Sequence, residues 1–446
     1  MGKGAFTLER MIDLLSINDP DGEYPKSYYS STVNIQNHLP SLQENIKCQI
    51  CIIGAGFTGL SAALSLSDLG YEAVVLEANR IGFGASGRNG GQVGSGQRWD
   101  QEKLEMHFGF EDAQIFWNIA EEAKKEVYSR IKRHAIKCDY NSGIIHASIN
   151  QRDTLDSYDQ ADQLRKKYNY QHLRKLNQKE ISEILDTDFY KGGYLDLGAS
   201  HLNPLKLVMG LGTAAQTAGV RIYEKTKVVK IEYGKKNKLT TSTGTIVDSD
   251  YLLIACNGYL GNLDQQTASR VMPINNFIIA TEPLNSGLLE PFLRYNYAVA
   301  DSKFVPNYFR PSPDKRLIFG GGENYTYKFP KNFKKISRKK MVKIYPQLKD
   351  TKIDFSWGGT LAITRNRLPC FRKVSHAAFS ISGYCGHGVA LSVIAGKIFA
   401  ELVTKKSEKF DYFSQLPMEP FPGKSSLRWP LLVLGMFWYS LRDRFK

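Results

Sequence analysis

The chain has 446 residues, of which 42% are apolar and 23% charged. This length is enough for two ordinary domains, and the composition excludes wholesale disorder. The formal net charge of +15 would suit a nucleic-acid partner, but the lysines and arginines are dispersed. Their densest cluster, residues 331–343, has helical spacing and indicates a solvated helix face. We therefore expect no nucleic acid as a partner.

Neither end of the sequence suggests targeting. Residues 1–15 lack the apolar core of a signal peptide, and Phe6 stands where a myristoylation signal requires Ser or Thr. The apolar run within 429–444 is too short to cross a bilayer, but its aromatic residues and flanking arginines allow a weak membrane-surface contact. We expect a cytoplasmic protein with an N-terminal extension, 1–46, and a C-terminal tail, 406–446.

The first strong pattern is the stretch CQICIIGAGFTGLSAALSLSDLGYEAVVLE, residues 48–77. Apolar residues predict a buried strand at 50–53, a helix at 60–69 and a second strand at 73–76. Glycines separate the first strand from the helix. This order is that of a dinucleotide-binding βαβ unit.

Each of the three glycines in this unit has a physical role. Gly54 permits a tight turn, Gly56 lets the backbone approach a pyrophosphate, and Gly59 lets helix and strand pack closely. The helix N-terminus presents free N–H groups to phosphates, and Glu77 can bond ribose hydroxyls. Because Glu77 would repel a 2′-phosphate, the unit predicts NAD or FAD.

Two of the six cysteines, Cys48 and Cys51, form a CxxC pair that could indicate redox or zinc chemistry. Residues three apart on a strand point to opposite faces, so we interpret both as core thiols. We expect no metal site.

The glycine-rich run GFGASGRNGGQVGSG, residues 82–96, follows the second strand almost directly. Its position beside the nucleotide unit disfavours a linker. Glycines allow the backbone to approach a planar ring, and Ser86, Arg88 and Asn89 can donate hydrogen bonds to phosphate or ring edges. A flavin needs such a loop here, so we predict FAD.

These two motifs, GAGFTG and LEANRIGFGASGRNGG, resemble the glycine oxidase and D-amino-acid oxidase superfamily of FAD enzymes. Within it, SYYSST at 27–32, the GRNGG form of the loop and the stretch 421–444 are similar to the gamma-glutamylputrescine oxidoreductases. The resemblance implies an α/β fold with a glutathione-reductase-like, Rossmann-type FAD-binding domain. An antiparallel-sheet α+β substrate domain would cover the flavin.

The resemblance also implies how the chain is divided between these domains. The FAD-binding domain would be discontinuous and comprise 47–100, 195–262 and 352–405. The substrate domain would comprise 101–194 and 263–351. SPDKR between YFR and LIFGGG predicts a hairpin in the latter.

Further FAD contacts come from the resemblance and from the helix at 389–402. Val228 would meet the adenine through its backbone, and the GYCGHG turn would place N–H groups at the pyrimidine end of the flavin, where a positive helix end stabilises reduced flavin. We expect non-covalent FAD, because 352–369 lacks the Cys and 80–96 the His through which related enzymes attach it. The predicted FAD-binding residues are Gly54, Gly56, Phe57, Thr58, Gly59, Glu77, Ala78, Arg80, Gly84, Ala85, Ser86, Arg88, Asn89, Gly90, Gly91, Gln92, Val228, Gly386, His387, Gly388 and Val389.

The implied reaction is oxidation of a C–N bond by hydride transfer to the flavin, then imine hydrolysis to an aldehyde. The implied substrate is gamma-glutamylputrescine or a similar capped polyamine, with oxygen or a quinone as electron acceptor. The flavin performs the difficult step, so no acid–base pair is required. His387 either positions the backbone or moves a proton, and Tyr308 and Arg310 face either the substrate or solvent.

A departure from the family bears on the substrate. Glycine oxidase-like enzymes carry an arginine that clamps the substrate carboxylate, where this chain has Thr360, Leu361 and Ala362. The departure disfavours simple α-amino acids, although Arg365 could replace the clamp.

Three alternatives stay open. The first is a dehydrogenase or oxidase for a D-amino or N-methyl amino acid. The second is a flavin-dependent tRNA-modifying enzyme, and the third is a flavin-binding scaffold without activity. The aromatic residues of SYYSST also suggest that the N-terminal extension closes over the active site.

Overall fold

The computed structural model describes residues 13–35, 38–285 and 287–422. Phe6 and the apolar stretch at 429–444 lie outside them. The elements, in chain order, are α1 (Tyr28–Ser31), β1 (Ile46–Ile53), α2 (Phe57–Asp68), β2 (Ala73–Leu76), β3 (Gln92–Val93), α3 (Gln101–Phe108), α4 (Phe110–Arg133), β4 (Asn141–Ser148), α5 (Gln151–Lys167), β5 (Leu173–Asn177), α6 (Gln178–Leu185), β6 (Gly192–His201), α7 (Pro204–Thr217), β7 (Arg221–Tyr223), β8 (Val228–Glu232), β9 (Asn237–Thr241), β10 (Ile246–Ile254), α8 (Gln265–Ala268), β11 (Met272–Thr281), α9 (Glu290–Tyr295), β12 (Ala298–Asp301), β13 (Tyr308–Pro311), β14 (Leu317–Asn324), α10 (Phe333–Ile344), β15 (Ile353–Ile363), β16 (Cys370–Ser375), β17 (Ala378–Ser382), α11 (Val389–Val403) and α12 (Lys409–Ser414).

Sheet A contains the dinucleotide-binding unit. Its strands follow the order β16–β17–β10–β1–β2–β7, with β8 and β9 paired beside β10. Strands β17, β10, β1, β2 and β7 are parallel. The βαβ unit expected at 48–77 is present as β1, α2 and β2. Helices α2 and α11 are apolar and buried along most of their length because they pack against each other and against this sheet.

Sheet B is the antiparallel sheet expected to cover the cofactor. Its order is β15–β11–β14–β13–β12–β4–β6–β3, with β5 paired to β6. All its pairs are antiparallel except β12 with β4. The predicted hairpin is β13 and β14, and the basic stretch 331–343 lies in helix α10, as expected. Met341 and Ile344 of α10 pack into the core of this sheet, which leaves most of the lysines outside it.

The two sheets cut across the domain boundaries expected from the sequence. Strands β3, β6 and β15 belong to sheet B, although they fall wholly or partly in stretches assigned to the FAD-binding domain. Helices α3 and α4, assigned to the substrate domain, bury Leu104, Phe116 and Val127 in the same core as α2 and α11. An amphipathic helix has the same apolar periodicity whichever sheet it packs against. The periodicity therefore does not tell which sheet that is.

The described cysteines are free, and Cys48 and Cys51 are both buried. They belong to one apolar cluster, and interaction with Cys48 raises the pKa of Cys51. The two thiols therefore do not face opposite sides as strict alternation required, although both are core residues. Within the described ranges, no helix is long and apolar enough to span a membrane, and no group of three His, Cys, Asp or Glu side chains could hold a metal ion.

Residues 13–32, here the N-terminal strap, run across both sheets. At one end Asp13 accepts a hydrogen bond from Lys227, 2.7 Å away. Further along, Asn18 bonds the backbone of Tyr327 and Phe329 at 2.9 and 2.8 Å. Tyr28 and Tyr29 of helix α1 are buried in the core, so they do not form an entrance to the active site.

Candidate active site

A cavity of about 820 Å³ lies between the two sheets. The carboxyl ends of β1, β2 and β10 form one wall, and strands β4, β11, β13, β14 and β15 of sheet B form the other. Ligands of parallel α/β sheets bind at such carboxyl ends, and ligand sites commonly measure roughly 300–1,000 Å³. The cavity therefore has the position and size of a cofactor and substrate site.

Most of the residues predicted to bind FAD line this cavity. They are Gly54, Gly56, Phe57, Thr58, Glu77, Ala78, Gly84, Ala85, Ser86, Arg88, Asn89, Gly90, Gln92, Val228, Gly386, His387, Gly388 and Val389. Gly59, Arg80 and Gly91 are outside the lining. A Cβ at Gly59 would lie 1.9 Å from the Gly54 carbonyl oxygen, so this glycine serves the close packing of helix on strand. Arg80 is buried and pairs with Glu23 at 3.1 Å.

The nucleotide end of the cavity is organised around Glu77. Its carboxylate accepts hydrogen bonds from the backbone N–H groups of Ala55 and Asn79 at 2.8 and 2.9 Å. Burial raises the pKa of Glu77 to about 7. Each carboxylate oxygen keeps acceptor capacity for a ribose hydroxyl. The strap residues Leu14 and Leu15 line the same end as Val228.

The glycine-rich loop is folded by its own polar residues. Ser86 accepts a hydrogen bond from the Phe57 N–H at 3.0 Å, which ties the loop to the first turn of α2. Arg88 donates to the Phe83 carbonyl at 2.6 Å and to Asp19 of the strap at 2.6 Å. Its Nη2 is buried and has no partner among the described residues. Arg88 therefore supports the loop from within, and Asp19 balances its charge.

The opposite end of the cavity is formed by the turn before α11. The His387 ring lies 3.1 Å, Nε2 to oxygen, from the Gly96 carbonyl, the last glycine of the loop. Burial and the nearby Arg98 lower the pKa of His387 to about 4. The imidazole is therefore neutral near pH 7, and an Nε2–H would donate to Gly96. This geometry favours the positioning role over proton transfer.

Tyr308 and Arg310 contact the same backbone in different ways. Tyr308 lines the cavity, its ring packs on Gly90, and its hydroxyl donates to Asn276 at 2.6 Å. Arg310 is outside the lining: its Nε donates to the Gly90 carbonyl at 3.0 Å, and its guanidinium lies over the Tyr29 ring. Tyr308 thus can touch a substrate, whereas Arg310 supports the loop from behind.

No arginine occupies the segment where the family clamp was expected. Leu361 and Ala362 line the cavity, and the Thr360 hydroxyl donates to Asn275 at 2.8 Å. Arg365, the possible replacement, forms an exposed ion pair with Glu419 and is outside the lining.

Sequence reasoning missed several charged residues of the cavity wall, among them Arg98, Arg367 and Glu323. Burial, together with the positive charge of Arg367, lowers the pKa of Arg98. Arg98 is nevertheless accessible to solvent, because it projects into the large cavity. The only local signal was the position of Arg98 just after the glycine-rich loop.

The chain fits a dinucleotide flavin cofactor on structural grounds. Gly54 has a φ of +107° and makes the sharp turn that delivers the N–H groups of α2 to the cavity. A second helix, α11, begins at the other end of the same cavity. Two helix N-termini at opposite ends of one cavity match an anionic, extended ligand. Residues of both ends would hold FAD.

Comparison with known proteins agrees with this geometry. The model of the DAO family, described as FAD dependent oxidoreductase, matches residues 49–402. Gamma-glutamylputrescine oxidoreductase of Escherichia coli is 36% identical over 95% of this chain and 99% of its own. "Probable oxidoreductase OrdL" of Rhizobium meliloti is 40% identical over 94% and 97%.

Among solved structures, glycine oxidase from Geobacillus kaustophilus aligns with a TM-score of 0.70 at 18% identity, covering 84% of this chain and 99% of that one. The similarity confirms the expected fold, a Rossmann-type FAD domain with a substrate domain. The family match and the full-length relatives confirm the expected cofactor and reaction class. The chain belongs to the DAO family of FAD-dependent oxidoreductases.

Proposed function

We propose that this oxidoreductase oxidises the free primary amine of a gamma-glutamylated diamine, with gamma-glutamylputrescine as the first candidate. The full-length similarity to the Escherichia coli enzyme of that name is the main support. The wall of the cavity adds a second support, because Thr360, Leu361 and Ala362 provide no guanidinium for a carboxylate adjacent to the reacting amine.

In this proposal, bound FAD supplies the acceptor for a hydride from the carbon beside the amine. The nitrogen lone pair of the neutral amine would form a C=N bond as the C–H bond breaks, and water would then hydrolyse the resulting iminium ion to an aldehyde and ammonium. Tyr308, held in place by its packing on Gly90 and by the bond from its hydroxyl to Asn276, would contact the substrate chain from the cavity wall. Burial raises the pKa of Tyr308 above its ordinary value, so the phenol stays protonated and is no base. Neutral His387 would hold the loop and the α11 turn together.

Anaerobic reduction of the flavin tests the substrate assignment. The FAD-loaded protein is mixed with gamma-glutamylputrescine, putrescine, glycine, sarcosine or a D-amino acid, and bleaching of the oxidised-flavin band is followed. We expect rapid bleaching with gamma-glutamylputrescine alone. Gamma-glutamylethylamide, which has the same amino-acid end, including its α-amine, but lacks the terminal amine of the diamine, is the matched control and should cause none. Equal or faster bleaching by an α-amino acid would refute the proposal.

A second candidate, oxidation of a D-amino or N-methyl amino acid, is favoured by one observation. Arg98 and Arg367 line the cavity and could bind a carboxylate. The same panel separates the two functions. Mixing the reduced protein with oxygen or with a quinone then identifies the electron acceptor, and rapid reoxidation by oxygen would define an oxidase.

A further inference from the structure

Two arginines of the cavity wall have no acidic partner. Arg98 and Arg367 both line the cavity, and in the described part of the chain neither has a carboxylate oxygen within 4.0 Å. They are close enough for the charge of Arg367 to lower the pKa of Arg98. Two guanidinium groups that repel each other in a partly desolvated wall are stabilised by a shared anion. The arrangement is therefore complementary to a carboxylate.

The Arg367 guanidinium lies over an aromatic ring and has no ion pair among the described residues. Arg367 has a φ of +66° in the turn after β15, and its guanidinium lies 5.5 Å from the centre of the Phe304 ring. Arg365, two residues earlier in the same turn, points to the surface and pairs with Glu419. The turn thus places Arg367 at the cavity and Arg365 at the surface.

An acidic group lies beside the arginines. Glu323 lines the cavity at the end of β14, accepts a hydrogen bond from Tyr325 at 2.7 Å, and partly offsets the lowering of the pKa of Arg98. Lys303 and Asp301 also line the cavity, but they pair with each other at 3.9 Å. Two guanidiniums and one carboxylate, which have no ion pair among the described residues, match a zwitterion: the arginines suit its carboxylate and the glutamate suits its ammonium.

We infer that Arg98, Arg367 and Glu323 form the subsite for the amino-acid end of the substrate, so that this end is bound away from the reacting amine. The inference rests on the proposed function, since a gamma-glutamylated diamine has such an end. It assigns the arginines to the α-carboxylate and Glu323 to the α-ammonium. The specificity of the enzyme would then arise at residues outside the segment that holds the clamp in glycine oxidase-like enzymes.

Binding of probes to the FAD-loaded protein, with its flavin already reduced so that it cannot accept a hydride, tests this subsite without turnover. Gamma-glutamylethylamide carries the complete amino-acid end, and 4-aminobutanoyl-ethylamide is the same molecule without the carboxylate. We expect the complete probe to bind the unaltered protein roughly 10- to 100-fold more tightly, the value of a hydrogen bond between charged groups. Calorimetry or perturbation of the flavin spectrum measures both affinities.

The variants Arg98→Gln and Arg367→Gln should abolish most of this difference between the two probes. Glu323→Gln should instead reduce the advantage of the complete probe over glutaric acid monoethylamide, which lacks the ammonium. Arg365→Gln is the matched control and should leave both comparisons unchanged. FAD content of each variant, measured in parallel, shows whether an arginine serves the cofactor instead.

The outcomes separate the subsite from the proposed function. Equal affinity of the unaltered protein for the two probes would overturn the subsite, even if a variant failed to fold. A carboxylate effect that persists in both arginine variants would also overturn it. If the carboxylate effect depends on the arginines but gamma-glutamylputrescine does not bleach the flavin, the subsite stands and the proposed function falls.

Discussion

Asp19 of the N-terminal strap accepts a hydrogen bond from Arg88 of the glycine-rich loop, with 2.6 Å between Oδ2 and Nη1. The Arg88 side chain is 2% exposed and that of Asp19 is 20% exposed. A segment that precedes the dinucleotide fold therefore neutralises the charge inside its cofactor loop.

The Asp19→Asn variant should weaken both folding and cofactor retention. It leaves the buried guanidinium with a neutral acceptor, at a cost of about 1.5–3 kcal/mol, the value of a hydrogen bond to a charged group. Thermal unfolding and the rate of FAD loss on dilution measure the effect. Asp21→Asn is the control because the Asp21 side chain is exposed and Lys225 donates to the backbone carbonyl of Asp21. An unchanged rate of FAD loss in Asp19→Asn would contradict the link between strap and loop.

Tyr308 and Arg310 should give different phenotypes although they alternate on one strand. Arg310→Gln breaks the bond to the Gly90 carbonyl, so we expect lower stability and FAD content with an unchanged KM in the loaded fraction. Tyr308→Phe removes the hydroxyl at the cavity wall and should reduce kcat/KM by an amount equivalent to about 0.5–1.5 kcal/mol. Steady-state kinetics on FAD-saturated protein distinguish them. A raised KM in Arg310→Gln would place that residue at the substrate.

Acid should destabilise the protein through buried histidines. Burial lowers the pKa of His201 to about 3 and that of His387 to about 4, from an ordinary 6.5. Below pH 6.5 the unfolded chain binds protons that the folded chain does not, so unfolding free energy falls as pH decreases, by up to about 1.4 kcal/mol per pH unit for each histidine.

Denaturant unfolding between pH 4 and 6.5 measures this slope. His201→Gln should flatten it, whereas His376→Gln, at an exposed position, should not. The raised pKa of Glu77 instead makes the folded state more stable as the pH decreases. This contribution is the same in both variants, so it cancels when their slopes are compared. Parallel slopes for all three proteins would refute the assignment.

FAD should leave the polypeptide on denaturation. Cys370 and Cys385 near the site are buried, and burial raises the pKa of both thiols, that of Cys370 to about 12. The thiolate needed for attachment is therefore scarce near pH 7. Mass spectrometry of the denatured protein should give the mass of the bare chain. Flavin travelling with the chain would sink this prediction.

The nucleotide half of the molecule could be predicted because its signals are local. The apolar periodicity and the glycines of β1, α2 and β2 all lie within one short stretch of sequence. Helix α11 begins at Val389, as expected. Such patterns encode a turn and a buried helix without information from the rest of the chain.

The substrate half could not be predicted to the same depth. Arg98 and Arg367 line one cavity only because sheet B and the turn after β15 fold over the loop, and nothing in the sequence around Arg367 marks it as a cavity residue. The alternating pattern correctly predicted that Tyr308 lies on a strand. It could not predict that the Arg310 side chain contacts the Gly90 carbonyl and the Tyr29 ring. Long-range packing determines which of several charged residues reaches the cavity.

The strap also constrains the order of events during synthesis. It bonds to Ile81, Lys227 and Asp314, and its bond to Phe329 spans 311 positions of the chain. Contacts of such separation form late, because the intervening chain must first be made and ordered. The strap leaves the ribosome before all of these partners, and we expect it to dock after them. Because Leu14 and Leu15 line the nucleotide end of the cavity, we expect FAD to enter before the strap docks.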